Sequence, residues 1–193
     1  MTRHLAAFLT AAAACGNGSG SATFNGTVHG QSMTPKDYIS SPATVSFASG
    51  TAPVAAIVIS DAGAACTRLA ANQEPKSSRS LVIFLSDVDR GSGVFGVPSG
   101  LATYTVFTVG SGAPPTHFAV ASFGVNDASC NQIAAQSATA VAGPVALTGI
   151  ADGAYAGTYD LSFDSGDRVT GAFNTAVCRA LATYLANSTH SCS

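Results

Sequence analysis

The sequence predicts an all-β fold, mainly an antiparallel β-sandwich of about nine strands, with a short C-terminal helix. From Ala22 onward, short runs rich in Val, Thr, Phe, Tyr and Ile are separated by clusters of Gly, Pro, Ser and Asp, as in sandwiches and barrels. The 193 residues fit one domain, and 47% hydrophobic against 9% charged residues allows a buried core. We therefore expect a single β-sandwich domain over residues 22–193.

Nine segments carry the strand pattern. Two of them, 54–60 and 81–85, are continuously apolar, which is typical of central strands covered on both faces. A hairpin is predicted where Tyr159, Leu161 and Phe163 alternate with polar residues before a turn at Gly166. The predicted strands are 22–29, 43–48, 54–60, 81–85, 103–109, 116–123, 145–150, 157–163 and 168–173.

Two helices are expected beside the sheet. Asn174 is suited to cap a helix over 175–186, in which Val177, Leu181 and Leu185 recur at helical spacing. A shorter helix is predicted over 62–71, beginning after Asp61. The first should pack on the sheet through its apolar side.

The amino terminus has the order of an export signal. A short cationic stretch precedes the apolar segment 5–14, which is too short to span a bilayer core that needs about 20 residues. Ala13-Ala14-Cys15 resembles the lipobox of bacterial lipoprotein precursors, in which small residues precede a cysteine that is lipidated and becomes the first mature residue. The resemblance implies a signal peptide over 1–14, and cleavage after Ala14 without lipidation is the alternative.

Residues 15–21 follow as the lipidated Cys15 and a Gly/Ser tether of the flexible kind. In lipoproteins, Asp after the lipidated cysteine favours retention at the inner membrane, and this chain has Gly16. The resemblance therefore implies an outer-membrane lipoprotein, with a periplasmic or secreted protein as the alternative. The expected partner is the membrane, through the lipid anchor. Nucleic acid is not expected, because the eight Lys and Arg residues are scattered along the chain.

The other four cysteines predict two disulfide bonds. Cys66, Cys130, Cys178 and Cys192 form an even set in a chain that leaves the reducing cytosol, and three pairings are open. We favour Cys66 with Cys130 and Cys178 with Cys192, because the latter two are close in sequence. No C-x-x-C spacing supports a zinc site.

One further resemblance concerns residues 157–178: a strand, an Asp/Gly turn, a strand ending in Gly-x-Phe, and then a cysteine. This segment is similar to one that recurs in uncharacterised predicted lipoproteins and secreted proteins of bacteria. The resemblance implies no activity.

Catalytic chemistry has little support in the sequence. No G-x-S-x-G turn occurs, and His29, His117 and His190 stand apart from any nucleophile motif. The acidic residues are Glu74 and nine Asp, most of them in turns. Asp87 and Asp89 have the alternation that opens a calcium loop, but Gly91 follows where a third ligand is needed. We predict no catalytic, cofactor or metal site.

Two long, glycine-rich loops, 88–100 and 110–115, are the places where binding is expected, because loops at the ends of a β-sandwich commonly carry function. Val94, Phe95 and Val97 would form a contact surface if exposed, or a lid on the sandwich if packed. The expected function is that of a non-catalytic binding or structural module. The alternatives are a small-ligand carrier with a barrel-like cavity and, less favoured, an envelope hydrolase.

Overall fold

The computed structural model describes residues 20–47 and 50–193. The predicted signal peptide, Cys15 and tether residues 16–19 lie outside the described residues. The first described strand begins at Ser21.

Strands make up 53% of the structure and helices 9%, so the prediction of a mainly β fold with a short C-terminal helix is confirmed. The helices are α1 (Ala65–Ala70) and α2 (Ala180–Ala186), with a 3-10 helix at Ala134–Gln136. Within the described ranges, no helix combines the length and apolarity that a membrane span requires. The strands are β1 (Ser21–Ala22), β2 (Asn25–Gly26), β3 (Asp37–Phe47), β4 (Gly50–Ser60), β5 (Gln73–Glu74), β6 (Arg79–Val88), β7 (Phe95–Gly96), β8 (Thr103–Val106), β9 (His117–Val125), β10 (Ala138–Ala142), β11 (Pro144–Ala151), β12 (Ala154–Phe163), β13 (Arg168–Asn174), β14 (Ala176–Val177) and β15 (Ser191–Cys192).

Thirteen of the described strands join in one sheet, in the order β1-β13-β12-β11-β8-β9-β6-β4-β3-β14. Strand β10 bridges β12 and β9, while β2 and β7 pair with β13 and β6. Most pairs are antiparallel; β8 with β9 and β14 with β3 are parallel. Strands β5 and β15 form a separate parallel pair. The C-terminal tail is therefore hydrogen-bonded beside α1.

The main core lies on the inner face of this sheet. Ile57 of β4, Ile83 of β6 and Phe123 of β9 are fully buried in one cluster with Leu161 of β12 and Val169 of β13. Burying each such side chain contributes about 1.5–3 kcal/mol to stability. Because strands from both ends of the sheet order share this cluster, its two halves pack against each other.

A second core lies on the outer face of β3 and β4. Ile39, Val54 and Ala56 pack there against Cys178 and against Leu181 of α2. Residues 54–57 are therefore covered on both faces, as predicted, because their alternate residues belong to different cores. In segment 81–85 the inward residues lie in the main core, whereas Phe84 is only partly buried against the second core and Val82 belongs to neither.

The C-terminal helix begins later than expected. Asn174 ends β13 instead of capping a helix, and the chain continues as β14 beside β3. The buried Thr175 hydroxyl accepts a hydrogen bond from the Tyr155 N–H at 3.0 Å and lies 2.6 Å from Ser40 Oγ. These tertiary bonds hold residues 175–178 extended, so the helix starts at Ala180.

Helix α1 is also shorter than predicted, because Asp61 has another partner. The Asp61 carboxylate accepts hydrogen bonds from the backbone and side chain of Arg79 at 2.7 and 3.0 Å. Asp37, distant in sequence, accepts instead from the Ala65 N–H at 2.6 Å. The helix therefore begins at Ala65, where a carboxylate from β3 satisfies one of its free N–H groups.

The four cysteines form two disulfides, but the favoured pairing was wrong. The bonds join Cys66 to Cys178 and Cys130 to Cys192, with Cα atoms 5.5 Å apart in each. Helices α1 and α2 both pack on the outer face, which brings Cys66 to Cys178, two residues before the first residue of α2. Helix α2 separates Cys178 from Cys192, and β15 then carries Cys192 to the loop after β9. Closeness in sequence is therefore misleading here.

Removing the first disulfide should destabilise the fold. We expect the double variant Cys66→Ala/Cys178→Ala to lose about 2–5 kcal/mol of unfolding free energy, because the bond closes a long loop and holds two short helices on the sheet. Denaturant unfolding of the oxidised protein measures this. The matched control is Thr67→Ala/Arg179→Ala, at two neighbouring exposed positions that leave both disulfides intact, and it should cost far less.

The pairing itself can be read from a tryptic digest, because each of the four cysteines falls in a different peptide. Without reduction, peptide 37–68 should be linked to 169–179, and 91–168 to 180–193. A link between 37–68 and 91–168 would contradict the structure.

Two buried tyrosines should make the unfolding free energy decrease at alkaline pH. Tyr159 donates to the Thr23 carbonyl at 2.7 Å and Tyr104 to Asp87 Oδ1 at 2.9 Å, and burial raises the pKa of both hydroxyls. The unfolded chain loses these protons above pH about 10, while the native state keeps them. The unfolding free energy is therefore unaffected below that pH and should fall as pH rises further. Tyrosinate absorbance measures this titration without interference from Trp, which the chain lacks. Part of the absorbance should appear only on unfolding, and this part should be smaller by one tyrosine in Tyr159→Phe.

Candidate functional site

A pocket of about 550 Å³ lies on the outer face of the sheet, beyond the part that the helices cover. We call it the outer-face pocket. Its floor consists of alternate, outward-facing residues of three neighbouring strands, and α1, α2, β5 and the loop after β9 surround it. The floor residues are Val58 and Ser60 of β4, Ser80 and Val82 of β6, and Ser122 and Gly124 of β9.

The space exists because the floor residues become smaller across the sheet. On β9 the outward positions are Ser122 and Gly124, and the nearest atoms to a Cβ placed on Gly124 would be 3.7 Å away. Helix α2, only seven residues long, packs on β3 and does not extend over β9. The outer face is therefore filled at one side and open at the other.

The walls of the pocket are mainly apolar. Leu69 of α1 and Leu181, Tyr184 and Leu185 of α2 form one side. The opposite side is polar and includes Asn126, Asn131 and Gln132 from the segment after β9. Ligand sites commonly combine an apolar lining with a few polar groups in this way.

Two charged side chains line the pocket. The Arg68 Nη2 group donates to the Gly63 carbonyl, whereas its buried Nε has no hydrogen-bond partner in the described part of the chain. Glu74 Oε1 accepts from the Tyr184 hydroxyl at 3.0 Å. Neither Arg68 nor Glu74 is among the ion pairs of the described residues, which are Arg79–Asp61, His117–Asp87 and Arg168–Asp160.

Tyr184 connects the pocket wall to the C-terminal tail. Burial, and then the neighbouring Glu74 carboxylate, raise the pKa of its hydroxyl. Its ring stacks on His190 with centroids 3.8 Å apart, and His190 Nδ1 lies 2.8 Å from Asn72 Oδ1. The structure thus places His190 behind the pocket wall, where it supports Tyr184. Nothing in the tail sequence indicated this position.

Both disulfides hold elements of the pocket. Cys66 belongs to α1, and its bond to Cys178 ties that helix to the start of α2. Cys130 lines the pocket, and its bond to Cys192 ties the loop after β9 to β15, which pairs with β5. The walls are therefore cross-linked on two sides before any ligand is present.

His117 and Asp87 form the kind of acid–histidine pair that a hydrolase would need. His117 Nδ1 lies 2.8 Å from Asp87 Oδ1, the oxygen that also accepts from Tyr104. Ser99 contacts the other oxygen of Asp87 and does not bond to His117. In the described residues, His117 has no hydrogen bond to a serine, threonine or cysteine. His29 is engaged through its backbone N–H with Asp167.

The calcium-like segment is occupied by local hydrogen bonds. Asp89 accepts from the Gly91 N–H at 2.8 Å and from the Ser92 hydroxyl at 2.7 Å. These bonds, led by that of Ser92, lower the pKa of Asp89, while Asp87 is held in the cluster with His117. No group of three potential metal-binding side chains occurs within residues 20–47 and 50–193.

The apolar residues of the first glycine-rich loop are packed in one case and exposed in another. Phe95 packs edge-on against Phe118 with centroids 5.9 Å apart, beside Phe107, and these rings border a second pocket of about 250 Å³. Val94 remains exposed. Phe95 thus acts as the lid residue that the sequence allowed, while Val94 lies on the surface.

No protein family model matches this chain, and the searches of curated proteins and of solved structures found no match to it. The arguments for its function therefore rest on the residues and distances given above.

Proposed function

We propose that this protein is a non-catalytic binding module of the bacterial cell envelope that holds a small ligand in the outer-face pocket. The observation that carries the proposal is a pocket of about 550 Å³ whose walls are cross-linked by two disulfides. Its lining includes Arg68 and Glu74, neither of which forms an ion pair with another described residue. A cross-linked site loses little conformational freedom when it binds, so less of the interaction energy is spent on ordering it.

The proposed site differs from the barrel-like cavity of the carrier alternative. The inner face of the sheet is occupied by the main core, which includes Ile57, Ile83 and Phe123. The outer-face pocket lies on the other side of β4, β6 and β9. A small-ligand role on this chain is therefore better served by the outer face.

A hydrolase role has weaker support. His117 is oriented by Asp87, yet the hydroxyls of Tyr104 and Ser99 beside this pair both bond to the carboxylate. General-base catalysis by histidine requires a nucleophile within hydrogen-bond reach of its ring. We therefore assign the Asp87 cluster to holding β6, β8 and β9 together.

Export and lipid anchoring remain part of the proposal. Two disulfides are expected in an oxidising compartment, which agrees with the signal-like amino terminus and the Ala13-Ala14-Cys15 sequence. A lipid on Cys15 would hold the module at a membrane, and we place it at the outer membrane, with a periplasmic or secreted form as the alternative.

Ligand binding can be tested with the uncharged fluorophore N-phenylnaphthylamine, whose emission rises in apolar sites. We expect saturable enhancement with the native protein. Ser122→Phe places a large side chain on the pocket floor and should weaken binding by about tenfold or more. Thr170→Phe adds the same side chain at an exposed position of β13 and should leave the Kd unchanged. Equal binding by the native and Ser122→Phe proteins would refute the assignment of the pocket.

Lipidation can be tested by growing bacteria that express the full chain with a radioactive fatty acid. We expect label in the native protein and none in Cys15→Ser, because the thiol is the acceptor of the lipid. Cys15→Ser leaves both disulfides of the folded domain intact, so the protein should still accumulate. Label of equal strength in the variant would exclude Cys15 as the anchor.

A further inference from the structure

The charges of the outer-face pocket indicate what kind of ligand it takes. Arg68 and Glu74 both line it, and both are partly buried. Neither forms an ion pair within residues 20–47 and 50–193. Asp61, Arg79, Asp160 and Arg168, by comparison, all have ionic partners. Residues 1–19 and 48–49 contain no Asp or Glu that could serve Arg68.

A partly buried charge is unfavourable unless a counter-charge or hydrogen bonds compensate it. Arg68 donates from Nη2 to the Gly63 carbonyl, and Glu74 accepts from the Tyr184 hydroxyl. Neither bond supplies a counter-charge. An anionic group of a ligand could pair with Arg68, and a cationic group could pair with Glu74. One positive and one negative lining charge therefore favour a ligand that carries both signs and is neutral overall.

The uncharged residues of the lining are suited to the part of a ligand that would connect its anionic and cationic groups. Leu69 and Leu185 present an apolar wall, while Ser80 and Ser122 on the floor and Gln132 on the rim offer both donors and acceptors. Peptide bonds need such paired donors and acceptors when they leave water. An aliphatic side chain would be buried against the leucines.

Taking the proposed binding role of this pocket as given, we infer that its ligand is a short peptide with free termini and an apolar side chain. Its carboxylate would bond to Arg68 and its terminal ammonium to Glu74. Arginine suits a carboxylate because its planar N–H groups match the two oxygens.

Competition with N-phenylnaphthylamine tests this inference, using the dipeptide Leu-Ala and its N-acetylated and C-amidated forms as probes. The free dipeptide should displace the fluorophore, and capping either terminus should weaken displacement by about tenfold or more. A dipeptide that fails to compete, or that competes equally well when capped, overturns the inference while fluorophore binding still supports the site. If the native protein does not bind the fluorophore, the proposed function itself is wrong.

Two variants assign each terminus. In Arg68→Gln, the native preference for the carboxylate over the amide should disappear, while the preference for the free amine remains. Glu74→Gln should show the opposite pattern. Arg90→Gln and Asp152→Asn, at exposed positions outside the pocket, are the matched controls and should behave as native. Far-UV circular dichroism reports whether each variant is folded, and Arg68→Lys, which keeps the charge, should retain part of the preference. Unchanged preferences in both Gln variants would contradict the assignment.

Discussion

The apolar outer face of β3 and β4 is the constraint from which the other features follow. The inner face of these strands is buried when the two halves of the sheet pack together, but Ile39, Val54 and Ala56 on the outer face need separate cover. Helices α1 and α2 supply it. Six and seven residues are too few for a helix to be stable alone in water, so both helices depend on their contacts with the sheet and on the Cys66–Cys178 bond.

The outer-face pocket is a consequence of how far this cover extends. The helices pack over β3 and β4, whereas β9 presents Ser122 and Gly124 on the same face. The loop after β9 and the C-terminal tail approach from the other side and are joined by the Cys130–Cys192 bond. The chain thus uses covalent cross-links, in place of a thicker helical layer, to hold the walls of an open space.

The polar side chains fall into two groups that differ in whether their bonding capacity is met. Asp87 binds Tyr104 and His117 through one oxygen and Ser99 through the other, so its cluster is satisfied within the fold. Arg68 and Glu74 line the outer-face pocket and form no ion pair with another described residue. A satisfied network stabilises the strands it joins, whereas lining charges without a counter-charge retain capacity for a ligand. This difference supports the proposed site in the outer-face pocket over one at the acid–histidine pair.

The sequence by itself determined the mainly β fold, the central strands and the involvement of four cysteines in two disulfides. These depend on local alternation, apolar runs and an even cysteine count, which are visible along the chain. Only the tertiary structure decided the pairing of Cys66 with Cys178, the late start of α2 and the position of His190 beside Tyr184. The pocket belongs to this second group, because Arg68, Glu74 and Ser122 line one space only after distant segments are placed side by side. Local pattern records which face a residue takes; contacts between distant segments follow from packing, which no single stretch of sequence encodes.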